Sequence, residues 1–305
     1  MWQSKQVYMM GTIIDLTINH PKAEKILEES IKSLKIYEER FSANDENSEL
    51  MILNHQAGKE EIPVHPDLFN LIQIGKEHSV VEDSYLNIAI GPLIKAWKIG
   101  FSDARIPNPK EIESLLKLID ADQIQLDEEK KTVKLAKNME LDLGSLAKGF
   151  IADLIITELK SKGATSGLIN LGGNIVTFGT PKNLNREKWH IALRNPEGTR
   201  DDFKLILKVQ DKSVVTSGIY ERVLKKDGEK FHHIFDSKTG YPLKTEILSL
   251  TIISEKSIDG EIWTTRLYGK EATRIITEVN ELKTIEAIVV TKNQIFYSDG
   301  IKEFL

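Results

Sequence analysis

Three short stretches carry side chains whose types and spacing can do chemistry. The first is Asp142-Leu143-Gly144-Ser145-Leu146-Ala147-Lys148-Gly149, which puts two glycines and a lysine where a loop turns into a helix. Glycines let backbone approach a ligand, and the start of a helix offers free amide donors and a positive dipole end, which suit a phosphate. Lys148, in the first turn, adds a point charge. The spacing is neither G-x-G-x-x-G nor a P-loop, so a plain turn with a surface lysine explains the pattern equally well. Nearby, Leu171-Gly172-Gly173-Asn174 follows a buried-looking strand and reads as a turn before it reads as a nucleotide-contact loop.

The second stretch runs from Phe231 to Pro242 and holds two of the seven histidines, His232 and His233. On a strand, adjacent residues face opposite sides, so only one of the two enters a given site. A neutral imidazole beside a carboxylate, here Asp236, is a usable general base near pH 7. A surface histidine before a Lys-Thr-Gly-Tyr turn is the commoner case. The third is Asp259 at the start of a helix. A carboxylate with a hydroxyl four residues on would suit a hard cation such as Mg²⁺. The residue four on is Trp263, which offers no oxygen, and Asp259 alone also suits the helix dipole.

The elements that must position these groups follow from apolar periodicity. Residues 7–18 read as a strand bent at Gly11. Helices are expected over 21–39, from Ser48, over 66–82, 107–118, 145–162, 257–269 and 270–281. A hairpin is expected at 123–135 around the charged turn Glu128–Lys131. Strands are expected at 168–171, 189–194, 203–210, 221–225, 230–235 and 247–254, with a hairpin-like pair over 286–298. No repeat, low-complexity stretch or Pro/Gly/Ser linker divides the chain, which favours one α+β unit over residues 1–305.

Composition closes off several functions. The 41 Lys+Arg against 46 Asp+Glu give a net charge of −5, which argues against nucleic-acid binding through bulk charge. With 40% hydrophobic residues among its 305, the chain can bury a large core. The absence of cysteine excludes disulfides, thiolate catalysis, thiolate-ligated zinc and iron–sulfur clusters. No apolar run is long enough for a membrane span. The N-terminal Met1–Tyr8 lacks a charged-then-apolar signal pattern, so a cytoplasmic protein is expected, unless an export signal has been removed.

In their order along the chain these pieces resemble the ApbE family of flavin transferases. The resemblance begins with Met10-Gly11-Thr12, Phe41-Ser42 and Ser48-Glu49-Leu50. Ile90-Gly91-Pro92-Leu93 follows, with Trp97 and Gly100. It continues through the Asp142–Gly149 run, Asn170–Asn174, Trp189 with Asn195-Pro196, and Thr216-Ser217-Gly218. It ends with His233–Asp236, Thr239–Pro242 and the Asp259 helix closing at Gly269. The resemblance implies an α+β fold of mixed β-sheets flanked by helices. It also implies transfer of FMN from FAD onto a threonine of an acceptor flavoprotein, with AMP released and Mg²⁺ assisting. His233 matches the base that activates the hydroxyl. Met10, Tyr85, Leu86, Asn87, Asp142, Lys148 and Ile234 match FAD-contacting positions. Ser145, through its main-chain oxygen, and Asp259 match the metal positions.

Four positions depart from the family pattern. Asn44, also assigned to the flavin pocket, stands where a tyrosine is usual, so an aromatic wall is missing. Tyr85-Leu86-Asn87-Ile88-Ala89 replaces Ala-Phe-Asp-x-Thr. Ser237 replaces a proline, and Trp263 replaces a metal-ligating threonine. Three other readings stay open: a Mg²⁺-dependent FAD pyrophosphatase, a non-catalytic FAD-binding protein, and an unrelated hydrolase using His233 with Asp236.

Overall fold

Met10 and Gly11 both take left-handed φ values, 53° and 70°. Two such residues in succession make the tight hairpin turn whose twist suits a pair of antiparallel strands. The chain therefore reverses there instead of bending. β1 (Trp2–Met9) pairs with β2 (Thr12–Asn19) from Met9↔Thr12 to Trp2↔Asn19. The single strand expected over 7–18 is corrected to two. Methionine is not a turn signal, and its left-handed backbone is held instead by its N–H, which donates to Glu38 Oε1 at 2.6 Å.

The structure is a computed structural model. It describes residues 1–305 apart from 182–185, 200, 201, 221 and 227. The helices that follow the first hairpin are α1 (Ala23–Phe41), α2 (Glu49–His55) and α3 (Pro66–Ser79), with β3 (Ile62–Pro63) between the last two. Ser48 caps α2 by accepting from Met51 N–H at 3.0 Å. Next come α4 (Gly91–Trp97), α5 (Pro109–Leu116), β4 (Gln125–Asp127) and β5 (Thr132–Lys134), the last two forming the expected hairpin, with β3 added alongside β5. α6 (Ala147–Ser161) leads to β6 (Ser166–Leu171), β7 (Asn174–Phe178), β8 (Trp189–Arg194), β9 (Phe203–Val209) and β10 (Ser213–Gly218). β7 and β10 were not expected: one starts straight after two glycines, and the other is short and hydroxyl-rich.

Short ribbons follow, β11 (Val223–Lys226) with β12 (Glu229–His232) and β13 (Phe235–Asp236) with β14 (Tyr241–Pro242). The strand expected at 221–225 starts at Val223, with Glu221 outside the described residues. β15 (Ile247–Ser254), α7 (Ser257–Leu267), α8 (Ala272–Leu282), β16 (Glu286–Thr291) and β17 (Ile295–Tyr297) complete the chain.

Eight strands form one antiparallel sheet in the order β1-β2-β6-β7-β10-β15-β16-β17. Every residue of β15 is buried, because both faces are covered. Leu250 and Ile252 pack toward α7 and α8, whereas Ile253 packs with Trp189, Ile191 and Val209 of the β8–β9 ribbon. Over β2 and β6, α1, α3 and α6 bury Leu16, Leu27, Leu34, Phe69 and Ile155. Each such side chain contributes about 1.5–3 kcal/mol of transfer free energy. The site is built where α6 and α7 cross on this frame.

Candidate active site

The start of α6 is shaped by Asp142, whose Oδ1 accepts from Gly144 N–H at 2.8 Å and folds the loop into a turn. Gly149 has no room for a side chain. A Cβ there would lie 2.6 Å from the Ser257 carbonyl oxygen and 2.7 Å from Glu261 Cγ, so α6 and α7 meet at backbone distance. Lys256 provides no side-chain cap for α7. Asp153 of α6 does so instead, accepting from Ser257 N–H at 2.8 Å and Ile258 N–H at 2.9 Å. Burial pushes the Asp153 carboxyl up to about 6 despite those two donors.

The hydrogen-bond ladder at this helix start has a gap. Ala147 N–H bonds to Leu143 C=O at 2.8 Å and Phe150 N–H to Leu146 C=O at 3.1 Å. The two bonds between them are missing, so among the described residues the carbonyls of Gly144 and Ser145 accept no main-chain hydrogen bond. The buried Glu261 side chain lies against Gly149 and accepts from Asn174 Nδ2 at 3.0 Å. Burial raises the Glu261 carboxyl. The Lys148 ammonium makes no hydrogen bond or ion pair among the described residues. Its field acts on Asp142, Glu261 and His233. Burial raises the Asp142 carboxyl, while Gly144 N–H, Arg222 and Lys148 oppose that shift.

His233 is carried by a different device. The indole of Trp97, fully buried, packs against Phe231, Phe235 and Tyr241 with ring centroids 5.5, 5.9 and 5.7 Å away. Its Nε1–H donates to Gly240 C=O at 3.0 Å. The strand expected at 230–235 is broken: β12 ends at His232, β13 begins at Phe235, and His233 lies in the break. His232 is buried, and its Nδ1 accepts from Ile234 N–H at 3.3 Å. His233 Nδ1 lies 3.4 Å from Arg222 C=O. A carbonyl only accepts, so Nδ1 carries the proton and Nε2 keeps its lone pair. Burial, with the positive charges of Arg222 and Lys148, lowers the His233 pKa to about 4, so the ring is neutral at pH 7. The His233/Asp236 pair is not formed. Asp236 accepts from Lys238 N–H at 2.8 Å and Thr239 Oγ1–H at 3.2 Å within its own turn.

The other sequence-assigned positions are scattered in role. Tyr85 lays its ring against Gly269, where a Cβ would not fit. Leu86 is fully buried in the core. The Asn87 amide is engaged by the fold: Nδ2 donates to Ile119 C=O at 2.9 Å and Oδ1 accepts from Ala89 N–H at 2.8 Å. Met10 occupies the hairpin turn and packs on the core, and Ile234 packs beside Ile247 and Tyr268. Asn44 is exposed, with its N–H on Ser42 Oγ at 3.1 Å. The structure thus gathers Asp142, Lys148 and His233 around one point.

Asp259 sits half-buried on the first turn of α7, its carboxyl raised by burial and lowered by Lys256 and His78. It makes no hydrogen bond or ion pair among the described residues. Trp263 packs under the Arg266 guanidinium, 4.4 Å from the ring centroid, and supplies no oxygen. Among the described residues no group of three or more His, Cys, Asp or Glu could hold a metal. An unpartnered carboxylate and a free main-chain carbonyl, Asp259 and Ser145, fit a hard cation whose shell is completed by phosphate oxygens.

Sequence reasoning missed Arg222, Glu261 and Asp153. Arg222 and Glu261 carry no local signal. Asp153 lies four residues after Gly149, on the same face of one helix, and that spacing was readable.

A profile described as the ApbE family matches residues 10–289. The chain belongs to the ApbE family. A Klebsiella pneumoniae relative named FAD:protein FMN transferase is 39% identical over 95% of this chain and 90% of its own length. A Treponema pallidum protein of the same name is 33% identical over 94% of this chain and 84% of its own. The crystal structure of the ApbE protein of Thermotoga maritima superposes with a TM-score of 0.91 at 25% identity, over 100% of this chain and 99% of that one. The flavin transferase ApbE of Vibrio cholerae gives a TM-score of 0.88 at 20% identity, over 100% and 99%. The central sheet and its helical cover described above are thus the ApbE fold. Among the described residues no helix is long and apolar enough to cross a membrane.

Proposed function

We propose that this chain is an FAD:protein FMN transferase acting through His233, over a single domain spanning residues 1–305. The observation that carries the reading is the convergence of a neutral imidazole, with its Nε2 lone pair free, on two cations, Lys148 and Arg222. Neither cation side chain makes an ion pair among the described residues, which leaves their charge for a pyrophosphate. The names of the Klebsiella and Treponema relatives support the same activity.

In this reading the threonine oxygen of an acceptor flavoprotein attacks the phosphorus of the FMN half. A new O–P bond forms, and the bond from that phosphorus to the bridging oxygen breaks. AMP leaves with the bridging oxygen, and the hydroxyl proton passes to His233 Nε2. Lys148 and Arg222 offset the charge that gathers on the phosphates. Asp259 and the Ser145 carbonyl would hold Mg²⁺, which supplies further charge neutralisation when bound. His233 is a weak base at a pKa of about 4. Phosphates that neutralise the two cations relieve the lesser part of that depression, burial being the larger.

The test is incubation with FAD and Mg²⁺, with and without a threonine-bearing acceptor. Flavin fixed to the acceptor with stoichiometric AMP is the expected result. Free FMN and AMP regardless of acceptor would make the protein an FAD pyrophosphatase, a reading favoured only by the exposed Asn44. Neither product would leave an FAD-binding protein.

A further inference from the structure

We infer that Gly100 is a positioning residue for His233, acting through Arg222: the bare Cα of Gly100 is the seat on which the Arg222 stem lies, and Arg222 in turn holds the imidazole. This rests on the transferase reading above, in which His233 takes the proton.

The turn after α4 is built to place a glycine at that spot. Lys98 takes a left-handed φ of 50° and closes α4 with its N–H on Ile94 C=O at 2.8 Å. Gly100 follows at φ 98°, a conformation that strains any side chain. Phe101 N–H then donates to Lys98 C=O and Arg105 N–H to Trp97 C=O, both at 3.0 Å, so the turn is tied back to the helix end. Within it, the buried Ile99 side chain enters the Trp97 core.

Arg222 crosses this turn. A Cβ on Gly100 would lie 2.9 Å from Arg222 Cδ, 3.3 Å from Cγ and 3.4 Å from Cβ, so the stem rests along the glycine. The carbonyl of the same residue accepts from His233 Nδ1 at 3.4 Å, and among the described residues it is that ring's one hydrogen-bond partner. Two residues on, Leu224 and its cross-strand neighbour Phe231 pack on the Trp97 core. One core thus carries both ends of the device. It supports Gly100 through Ile99 and Trp97, and it supports His233 through Phe231 and Phe235. Arg222 joins the two ends, its stem on one and its carbonyl on the other. A side chain at Gly100 displaces the stem, and the carbonyl that orients the imidazole moves with it.

The measurement is the tautomer of His233, read by nitrogen NMR of the labelled imidazole, beside kcat for transfer and thermal unfolding. In the unaltered protein Nδ1 carries the proton. Gly100→Ala should give a ring of mixed tautomers and lower kcat by about 10–100-fold, the order expected when a reacting group is misplaced. The deciding step adds Arg222→Ala, which removes Cγ and Cδ and keeps the carbonyl. In that background Gly100→Ala should leave Nδ1 protonated and cost no further kcat, because the two positions act as one unit. Backbone strain at residue 100 is the same in both backgrounds. An equal loss of kcat in the two would therefore overturn the inference, as would an unchanged tautomer in Gly100→Ala. If Gly100→Ala does not fold, Gly100→Asn carries the same cycle, since asparagine tolerates left-handed backbone. A protein that fixes no flavin on any threonine-bearing acceptor would end the transferase reading, and the tautomer series would still decide whether Gly100 orients the ring.

Discussion

The Asp142–Gly149 turn and the Phe231–Pro242 segment meet at Lys148 and His233, yet opposite forces hold them. The turn is fixed by main-chain geometry: an Asx turn, a glycine in close contact with α7 and a broken hydrogen-bond ladder. It leaves an ammonium and two carbonyls unpaired. The histidine segment is fixed by aromatic packing on Trp97, and its one chemical group is desolvated and neutral. A region that must grip phosphates keeps its charge available. A region that must accept a proton sheds its charge beforehand.

The sharpest way to break this contrast is His233→Asn. Transfer should fall by ~10²–10⁴-fold, the usual worth of a positioned base, while calorimetry finds FAD affinity nearly intact. Parallel loss of rate and binding would merge the two regions into one. His232→Asn should affect rate far less, since that ring points into the fold.

Trp97→Ala attacks the packing side. It should cost about 3–5 kcal/mol of stability, as large core deletions do, read by denaturant unfolding. Transfer at low temperature should fall with FAD binding spared. On the polar side, Lys148→Met should weaken FAD binding by ~10–100-fold, equivalent to a charge-assisted hydrogen bond of about 1.5–3 kcal/mol. FMN binding should change less, and the unfolding midpoint should hardly move.

A pH titration separates the two regions by sign. The His233 pKa is lower in the folded protein than in the unfolded chain, so the unfolded state takes up that proton first. Stability from His233 is therefore present above pH ~6.5, the ordinary histidine value, and is lost as pH falls toward 4. Asp153 behaves oppositely, because burial raises its carboxyl to about 6. Its contribution is present at low pH and is lost as pH rises through that value. The stability difference between wild type and His233→Asn should shrink as pH falls through the histidine window. A constant difference would mean the ring is not desolvated. The smallest expected effect is Asn44→Tyr, which restores an aromatic in the exposed loop and should tighten FAD by a few-fold, in line with about 0.5–1.5 kcal/mol for an aromatic pair.

Much of this was legible in sequence because its signals are local. Helical periodicity marked α1, α3 and α6 to within a few residues, and the Asp142–Gly149 run announced a loop-to-helix junction. The colinear motifs carried the family. The Met10-Gly11 reversal was not legible, since its left-handed methionine is stabilised by Glu38, 28 residues away. His233 was placed on a strand because alternation continues through Phe235; the break is imposed by Trp97 and by the turn at Asp236. Glu261 and Arg222 were invisible because their roles depend on which helix or ribbon lies opposite them. Asn87 read as a ligand-facing amide, and only the structure shows both ends of it engaged.

The Trp97–Gly240 hydrogen bond spans 143 residues of chain. Contacts between positions so far apart are slow to form, because a long loop must close before they are rewarded. In the nucleotide-gripping turn only the Asp142–Gly144 bond is local, and the contact of Gly149 with Ser257 and Glu261 waits for α7. The proton-accepting segment can dock on Trp97 only after the central sheet has been laid down as far as β10. Trp97 emission should therefore report a late step of folding, the docking of the proton-accepting segment.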